Sequence, residues 1–430
     1  MMTAPLILSL VFVGLLVLNT PVAVCIGLAT VATIAALGDV PTGYLTAQRI
    51  ASGISSFSLL AIPFFILAGI LMGEGGMARR LMDFAFALVG RFRGGLAYVN
   101  TLTCMLFGAV SGSASAAVSS IGGFMIPEMV SKGYKREFAV ALTTASATTG
   151  LLIPPSNIMI VYAVVAGNVS VVTLFFAGVV PGIMVGLAIM TVSLIVNLRS
   201  GMEASEKVPM AQVWCALRGA LASVLLVVIV LGGILLGIFS ATEASAIAVA
   251  YALVLGVGVY REVKLSDLPR ILLRAAKTTS VVMLLVGTSQ AMSWVLAYEN
   301  IPQSVSNALL SISSDPWTIL LLINVLLLLV GTVMDMTPAV LIFTPMLLPV
   351  VTGFGMDPTH FGIMMIANLC IGLCTPPVGT CLFVGCSIGG TTIARTTIPT
   401  IPYVFAMLVA LILITYFPTF SLWLPRLLDL

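Results

Sequence analysis

Charged side chains make up only 8% of the 430 residues, against 60% hydrophobic ones. A soluble domain carries about 25% charge, and a mean hydropathy of +1.20 excludes one here. The chain therefore reads as a polytopic membrane protein with almost no extramembrane domain. Its 18 lysines and arginines are scattered over short loops, not interleaved with aromatics along one face, which excludes a nucleic-acid surface. One histidine and seven cysteines without a CxxC pair leave no zinc-type ligand set. A serine nucleophile would need a neighbouring base. The sole histidine, His360, falls in an outer loop without a serine partner in its spacing, and no G-x-S-x-G surrounds Ser113. Those grounds weigh against an intramembrane hydrolase, and no enzyme activity or organic cofactor is expected. The first apolar segment, residues 5–18, lacks a basic n-region and an A-x-A site before Pro21; it reads as a span, not a cleaved signal.

What is abundant is small residues at membrane depth. Val110-Ser-Gly-Ser-Ala-Ser-Ala-Ala117 lies between apolar flanks at 100–109 and 117–129. Arg91 and Arg93 precede the flanks, and Lys132, Lys135 and Arg136 follow them. Positive charge marks the cytoplasmic side, so both ends lie inside. Each flank is shorter than the roughly 20 residues of a span. The stretch predicts a re-entrant hairpin over 96–130 with its tip near the midplane. Irregular backbone at that depth is tolerated only where it is buried in protein or lines a polar cavity.

Taken in order, residues 5–18, 21–37 and 57–72 are spans, with a loop holding Asp39 and Arg49 between the second and third. Residues 77–93 suit an amphipathic helix on the cytoplasmic interface. A long segment, 138–166, is broken at Gly150-Leu-Leu-Ile-Pro-Pro-Ser-Asn157, where two prolines remove backbone donors. Spans follow at 174–196, 220–238 and 244–259, the last pair joined by Ser240-Ala-Thr-Glu243, where Thr242-Glu243 suits a helix cap. The stretch 261–277 holds five of the 18 basic residues and predicts a second cytoplasmic interfacial helix over 265–276. After a span at 279–296, the loop 299–316 has two acids and no base, so it faces outward. Residues 317–352 form a second hairpin around Gly331-Thr-Val-Met-Asp-Met-Thr-Pro338, and 361–388 a second broken helix around Gly372-Leu-Cys-Thr-Pro-Pro-Val-Gly379. The last span is 402–417.

The two halves match at an offset of 222 residues. Gly150, Leu151, Pro154 and Pro155 meet Gly372, Leu373, Pro376 and Pro377; Pro127 meets Pro349 and Gly167 meets Gly389. The charges place the ends of the first hairpin inside and those of the second outside, so the repeats are inverted. The fold class is all-α and polytopic, with inverted repeats that each carry a re-entrant hairpin and a Pro-broken helix. The expected division is 1–53 for N-terminal scaffold spans, 54–198 for the first repeat, 199–277 for central scaffold spans and a cytoplasmic arm, 278–420 for the second repeat, and 421–430 for a tail.

Paired interruptions in inverted halves point to a transport site at the midplane. A fixed channel filter fits this pattern less well. The inner set is Ser111, Gly112, Ser113 and Ser115 against Gly150, Pro155, Ser156 and Asn157. The outer set is Gly331, Thr332, Asp335 and Thr337 against Gly372, Thr375, Pro376 and Gly379. One Ser/Gly run alone would be a helix-packing stripe; two runs, each facing a broken helix, make a site. Unwound carbonyls and helix C-termini suit a hard cation such as Na⁺, and half-helix N-termini suit an anionic group. Asp335 is the one acid at a hairpin tip, and intramembrane acids are costly and functional.

These residues resemble a family: the large membrane subunit, DctM-like, of tripartite ATP-independent periplasmic (TRAP) transporters. The resemblance is carried by Ser111-Gly-Ser-Ala-Ser-Ala116, Ile121-Gly-Gly-Phe-Met-Ile-Pro-Glu-Met129 and Gly150-Leu-Leu-Ile-Pro-Pro-Ser156. Thr242-Glu-Ala-Ser245, Tyr251-Ala-Leu253 and Thr375-Pro-Pro-Val-Gly379 complete it over nearly the whole chain. It implies a scaffold with a mobile elevator domain of the ion-transporter superfamily, in the bacterial inner membrane with a periplasmic N-terminus. It implies Na⁺ as coupling ion, with Ser111, Gly112, Ser113, Ser115, Gly150 and Pro155 at an inner site. Gly331, Thr332, Asp335, Thr337, Gly372, Thr375 and Pro376 would form the outer one. Ser113, Ser115, Ser156, Asn157, Met336, Thr337 and Gly379 would face a small carboxylate, such as a C4-dicarboxylate or sialic acid. The implied partners are a small four-helix membrane subunit (DctQ-like) and a periplasmic substrate-binding protein (DctP-like). A stand-alone Na⁺/dicarboxylate or anion carrier of the same superfamily is the alternative.

Overall fold

The computed structural model describes residues 3–38, 41–199, 210–313, 315–376 and 379–430. All regular structure among them is helical. The first half runs α1 (Thr3–Val17), α2 (Val22–Leu37), α3 (Thr42–Ile54), α4 (Ala61–Glu74) and α5 (Met77–Val89). It continues as the hairpin α6 (Gly95–Ser111) and α7 (Ala114–Ser131), the broken pair α8 (Arg136–Thr148) and α9 (Asn157–Ala166), and α10 (Val171–Arg199). The second half runs α11 (Met210–Leu235), α12 (Ala241–Leu253), α13 (Leu268–Tyr298) and α14 (Ile301–Ile312). Then come the hairpin α15 (Pro316–Val333) and α16 (Met336–Gly353), the broken pair α17 (Pro358–Gly372) and α18 (Thr380–Gly389), α19 (Ile393–Tyr416) and α20 (Thr419–Leu427). Among the described residues, eight helical stretches are long and apolar enough to cross a membrane.

The duplication extends beyond the sequence matches. Shifted by 222, α7 falls on α16 end for end, α6 on α15 and α9 on α18 within one residue, and α5 on α14 within two. The halves pack through exchanged partners: α7 lies on α18 as α16 lies on α9, and α8 on α19 as α17 on α10. Cys370 Sγ donates to the Thr148 carbonyl at 3.4 Å, and these two positions are themselves 222 apart. A residue that touches its own repeat counterpart lies beside the pseudo-two-fold axis. That axis passes between α8 and α17.

Several expectations need correction. The loop around Arg49 is largely helix, α3, which packs on α13; Asp39 lies outside the described residues. The outward loop 299–316 contains α14, whose Ile301, Val305 and Leu309 pack on the core at i, i+4 spacing. Its two acids sit at the ends and conceal that stripe. The interfacial helix expected at 265–276 is not a separate element. A 3₁₀ turn, Leu265–Asp267, leads into α13, which runs unbroken through 277 and 278 because no Gly or Pro interrupts it there. The cap at α12 is Ser240, not Thr242. Its hydroxyl accepts from Glu243 N at 3.3 Å while the Glu243 carboxylate accepts from Ser240 N at 2.7 Å, a reciprocal capping box. The tail at 421–430 is mostly α20.

His360 is also misplaced by the sequence reading. It is buried in the first turn of α17, with Nδ1 at 2.5 Å from Ser421 Oγ and Nε2 at 3.2 Å from the Thr415 carbonyl. It ties α17 to α19 and α20, and a serine partner does exist. The pair stands away from both hairpin tips, at the far end of α17.

Buried amides lock the hairpins to the broken helices. Asn100 Nδ2 donates to Thr143 Oγ1 at 2.6 Å between α6 and α8. In the second repeat Asn368 Nδ2 donates to Asn324 Oδ1 at 2.8 Å and to its carbonyl at 2.9 Å, and Asn324 Nδ2 donates to Thr415 Oγ1 at 3.1 Å. Such bonds between membrane helices contribute about 0.6–2 kcal/mol each. Asn368→Leu should lower the thermal midpoint of detergent-purified protein by an amount worth about 1–2 kcal/mol. An unchanged midpoint would show that the amide ladder contributes nothing.

Candidate functional site

Glycines bring each hairpin tip against a helix break. A Cβ added to Gly108 of α6 would land on the Gly150 backbone, and one on Gly372 would land on Gly331. The two repeats therefore use the same backbone-to-backbone contact, made possible by the missing side chains. At the inner tip Gly112 has φ +57° and ends α6; its N–H donates to the Gly108 carbonyl at 2.8 Å. Ser113 then caps α7, its hydroxyl accepting from Ala116 N at 3.3 Å. Ser115 Oγ stands 3.2 Å from Ser113 Oγ. At the outer tip Asp335 occupies the cap position of α16, and its carboxylate accepts from Thr380 Oγ1, 3.3 Å away in the first turn of α18. The Gly379 N–H donates to the Thr332 carbonyl at 3.4 Å, joining that tip to its break.

Both tips and both breaks open on one cavity of about 200 Å³. Its walls take Gly112, Ser113 and Ser115 from the inner tip, Asn157 from the first break, and Asp335, Met336 and Thr337 from the outer tip. These seven are the sequence-selected residues that the fold brings together. The others support them from behind. Ser111 is buried against Gly69 of α4, where an added Cβ would lie 2.9 Å from Ser111 Cα. Gly150, Gly331 and Gly372 make the backbone contacts just described. Ser156 is fully buried, and Thr375 Oγ1, just past α17, donates at 2.7 Å to the Ile371 carbonyl in the last turn of that helix. Pro155, Thr332, Pro376 and Gly379 do not line the cavity; Pro377 and Val378 lie outside the described residues.

Sequence reading missed Thr380 and Cys381 on α18, and Ile62, Ile66, Thr278 and Val282 on the facing wall formed by α4 and α13. Thr380 could have been found, since it is the repeat counterpart of Ile158 and stands just past the second break. The apolar wall carries no local signal.

The electrostatics come from helix ends. The first turns of α7, α9, α16 and α18 all border the cavity, and each N-terminus carries about +0.5 charge. Among the described residues no Lys, Arg or His lines it. Leu151 and Leu373, at the C-terminal ends of the first half-helices, border it too. Beside the inner tip the buried oxygens Ser156 Oγ and Asn157 Oδ1 have no hydrogen-bond partner among the described residues. Unpaired buried oxygens are costly and suit a hard cation, which takes oxygen ligands. The arrangement can hold an anion against N-termini and cations against unwound backbone.

Two further hollows flank the cavity along α4. One of about 370 Å³ is lined by Ser52, Ser56, Ser58, Ala163, Gly167 and Gln290, and one of about 300 Å³ by Gly69, Gly73, Glu74, Ser120, Glu262 and Arg274. Along α4 and the turn before it the order is Ser58, then Ile62 and Ile66, then Gly69 to Glu74, so the central cavity sits between them.

Residues 9–420 match the family described as tripartite ATP-independent periplasmic transporter, DctM component. The chain is 47% identical over 417 residues to the uncharacterized protein YgiK of Salmonella typhimurium, covering 97% of this chain and 96% of that one. It is 43% identical over 370 residues to the C4-dicarboxylate TRAP transporter large permease protein DctM of Pseudomonas aeruginosa, covering 86% of each. Among solved structures, the Alcanivorax borkumensis YdaH transporter superposes with a TM-score of 0.62 at 13% identity, covering 87% of both chains. That likeness concerns the fold alone.

Proposed function

The chain belongs to the DctM family of TRAP transporter large permeases, and from that premise we propose that it is the membrane permease of a Na⁺-coupled, binding-protein-dependent importer of a small organic anion. It is a multi-pass membrane protein. Its place is the bacterial inner membrane, with a periplasmic N-terminus: three spans carry the chain from there to the basic α5. A small four-helix subunit and a periplasmic binding protein complete the system, the latter delivering the carboxylate.

The observation that carries this reading is the single cavity where both hairpin tips and both helix breaks meet. Na⁺ is cargo here, held by tip and break oxygens. Inner candidates are Ser111, Ser113, Ser115, Ser156 and Asn157; outer ones are Thr332, Asp335, Thr337 and Thr375. Ions that order the tips lower the cost of forming the anion site, and the anion must favour ion binding equally. The hairpins and broken helices move as one elevator body against α4 and α13. This exposes the cavity first toward the hollow at Ser52–Ser58 and then toward the hollow at Glu74 and Arg274.

Uptake in proteoliposomes tests this. The permease is reconstituted with the small subunit, with and without an inward Na⁺ gradient, and candidate binding proteins are added loaded with their ligands. Uptake should require both Na⁺ and one binding protein. Na⁺-driven uptake of free substrate without a binding protein would instead establish a stand-alone carrier.

A further inference from the structure

We infer that the cavity is polarised, and that its ligand is a short hydroxylated monocarboxylate rather than a symmetric dicarboxylate. This rests on reading the cavity as the transported anion's site. The observation is a broken symmetry between the repeats. At the offset of 222, Ser113 corresponds to Asp335, Ser115 to Thr337, Asn157 to Gly379 and Ile158 to Thr380.

The inner half therefore presents the N-termini of α7 and α9 with two hydroxyls, Ser113 and Ser115, 3.2 Å apart, and the amide of Asn157. No acid lines that half among the described residues. Two N-termini amount to about one uncompensated positive charge. The outer half presents the N-termini of α16 and α18 as well, but Asp335 stands between them, at the cap of the first and within hydrogen-bond distance of Thr380 in the second. The negative charge that its carboxylate carries when ionised offsets theirs. A coupling cation at each hairpin would add the same charge to both halves and leave the difference standing.

A ligand carboxylate consequently docks at Ser113, Ser115 and Asn157. A second carboxylate at the far end would face Asp335 in a weakly screened site, where like charges repel strongly. A hydroxyl there finds an acceptor in Asp335 and partners in Thr337 and Thr380. The volume, about 200 Å³, lies below the usual 300–1,000 Å³ of ligand sites and limits the ligand to a short chain.

The test is thermal stabilisation of the purified permease in Na⁺ buffer, titrated with glycerate, erythronate, succinate and fumarate. The hydroxy acids should stabilise at concentrations at least tenfold lower than the dicarboxylates. Asp335→Asn keeps the hydrogen bonding and removes the charge, so it should shift the ratio at least tenfold toward succinate. Ser113→Asp, on the other half, should weaken the hydroxy acids at least tenfold and covers the case of an unstable Asp335 variant. Wild-type preference for succinate, or an Asp335→Asn variant that weakens both classes alike, overturns the polarity while leaving an anion site in place. Absence of stabilisation by all four acids, with Na⁺ or without, overturns the anion site itself and the polarity with it.

Discussion

Gly372→Val abolishes uptake, with a fall of at least about 100-fold in initial rate, and Gly150→Val does the same from the other repeat. Each glycine touches the backbone of a hairpin arm, Gly372 against Gly331 and Gly150 against Gly108. A side chain at either position meets main chain, which no rotamer change can move aside. The tip must retreat by the width of a methyl group or more, and overpacking of that kind costs about 1–3 kcal/mol of stability. The functional loss is larger because the tip carries the site. Retreat of the outer tip parts Gly379 N–H from the Thr332 carbonyl and Asp335 from Thr380, now 3.4 and 3.3 Å apart. A displacement near 1 Å is worth about 100-fold in a preorganised site. The check is uptake normalised to the amount of folded, monodisperse protein. Near-normal uptake by Gly372→Val would show that close apposition of tip and break is dispensable.

Asp335→Ala reduces Na⁺-dependent uptake at least about tenfold at limiting Na⁺, and raising Na⁺ recovers part of the loss. The residue is the only acid at either tip, it occupies the N-cap position of α16, and it lines the cavity. Removing it takes a charge and two acceptor oxygens from the outer site; a charged partner of this kind is worth about 1.5–3 kcal/mol. Ser113→Ala should weaken uptake less, by about three- to tenfold. Part of that loss is structural, because Ser113 Oγ also accepts from Ala116 N and deleting an N-cap costs about 1 kcal/mol. The two causes separate in a Na⁺ titration: a lost ligand raises the Na⁺ concentration for half-maximal uptake, while a lost cap lowers thermal stability at every Na⁺ concentration. Normal uptake at limiting Na⁺ in both variants would remove these residues from the ion sites.

Much of this protein was legible in the chain because membrane insertion imposes local rules. Apolar length, positive charge and proline each act within a few residues, so the hairpins, the breaks and the inverted duplication could be read without coordinates. The readings that needed revision depended on distant partners. The helix at Ile301–Ile312 is held by α16, α3 by α13, and His360 by Thr415 and Ser421. None of these partners is near in sequence, and short amphipathic stretches are only marginally helical on their own.

The sequence by itself determined that there are two tips and two breaks, and that Ser113 and Asp335 occupy related positions. Only the tertiary structure decided that the four meet at one cavity, that Ser111, Ser156 and Gly150 stand behind its wall, and that Thr380 answers Asp335. The reason is physical: glycine pairs let backbones approach across 42 residues in one repeat and 41 in the other, and an absent side chain does not show in the sequence which backbone it will touch.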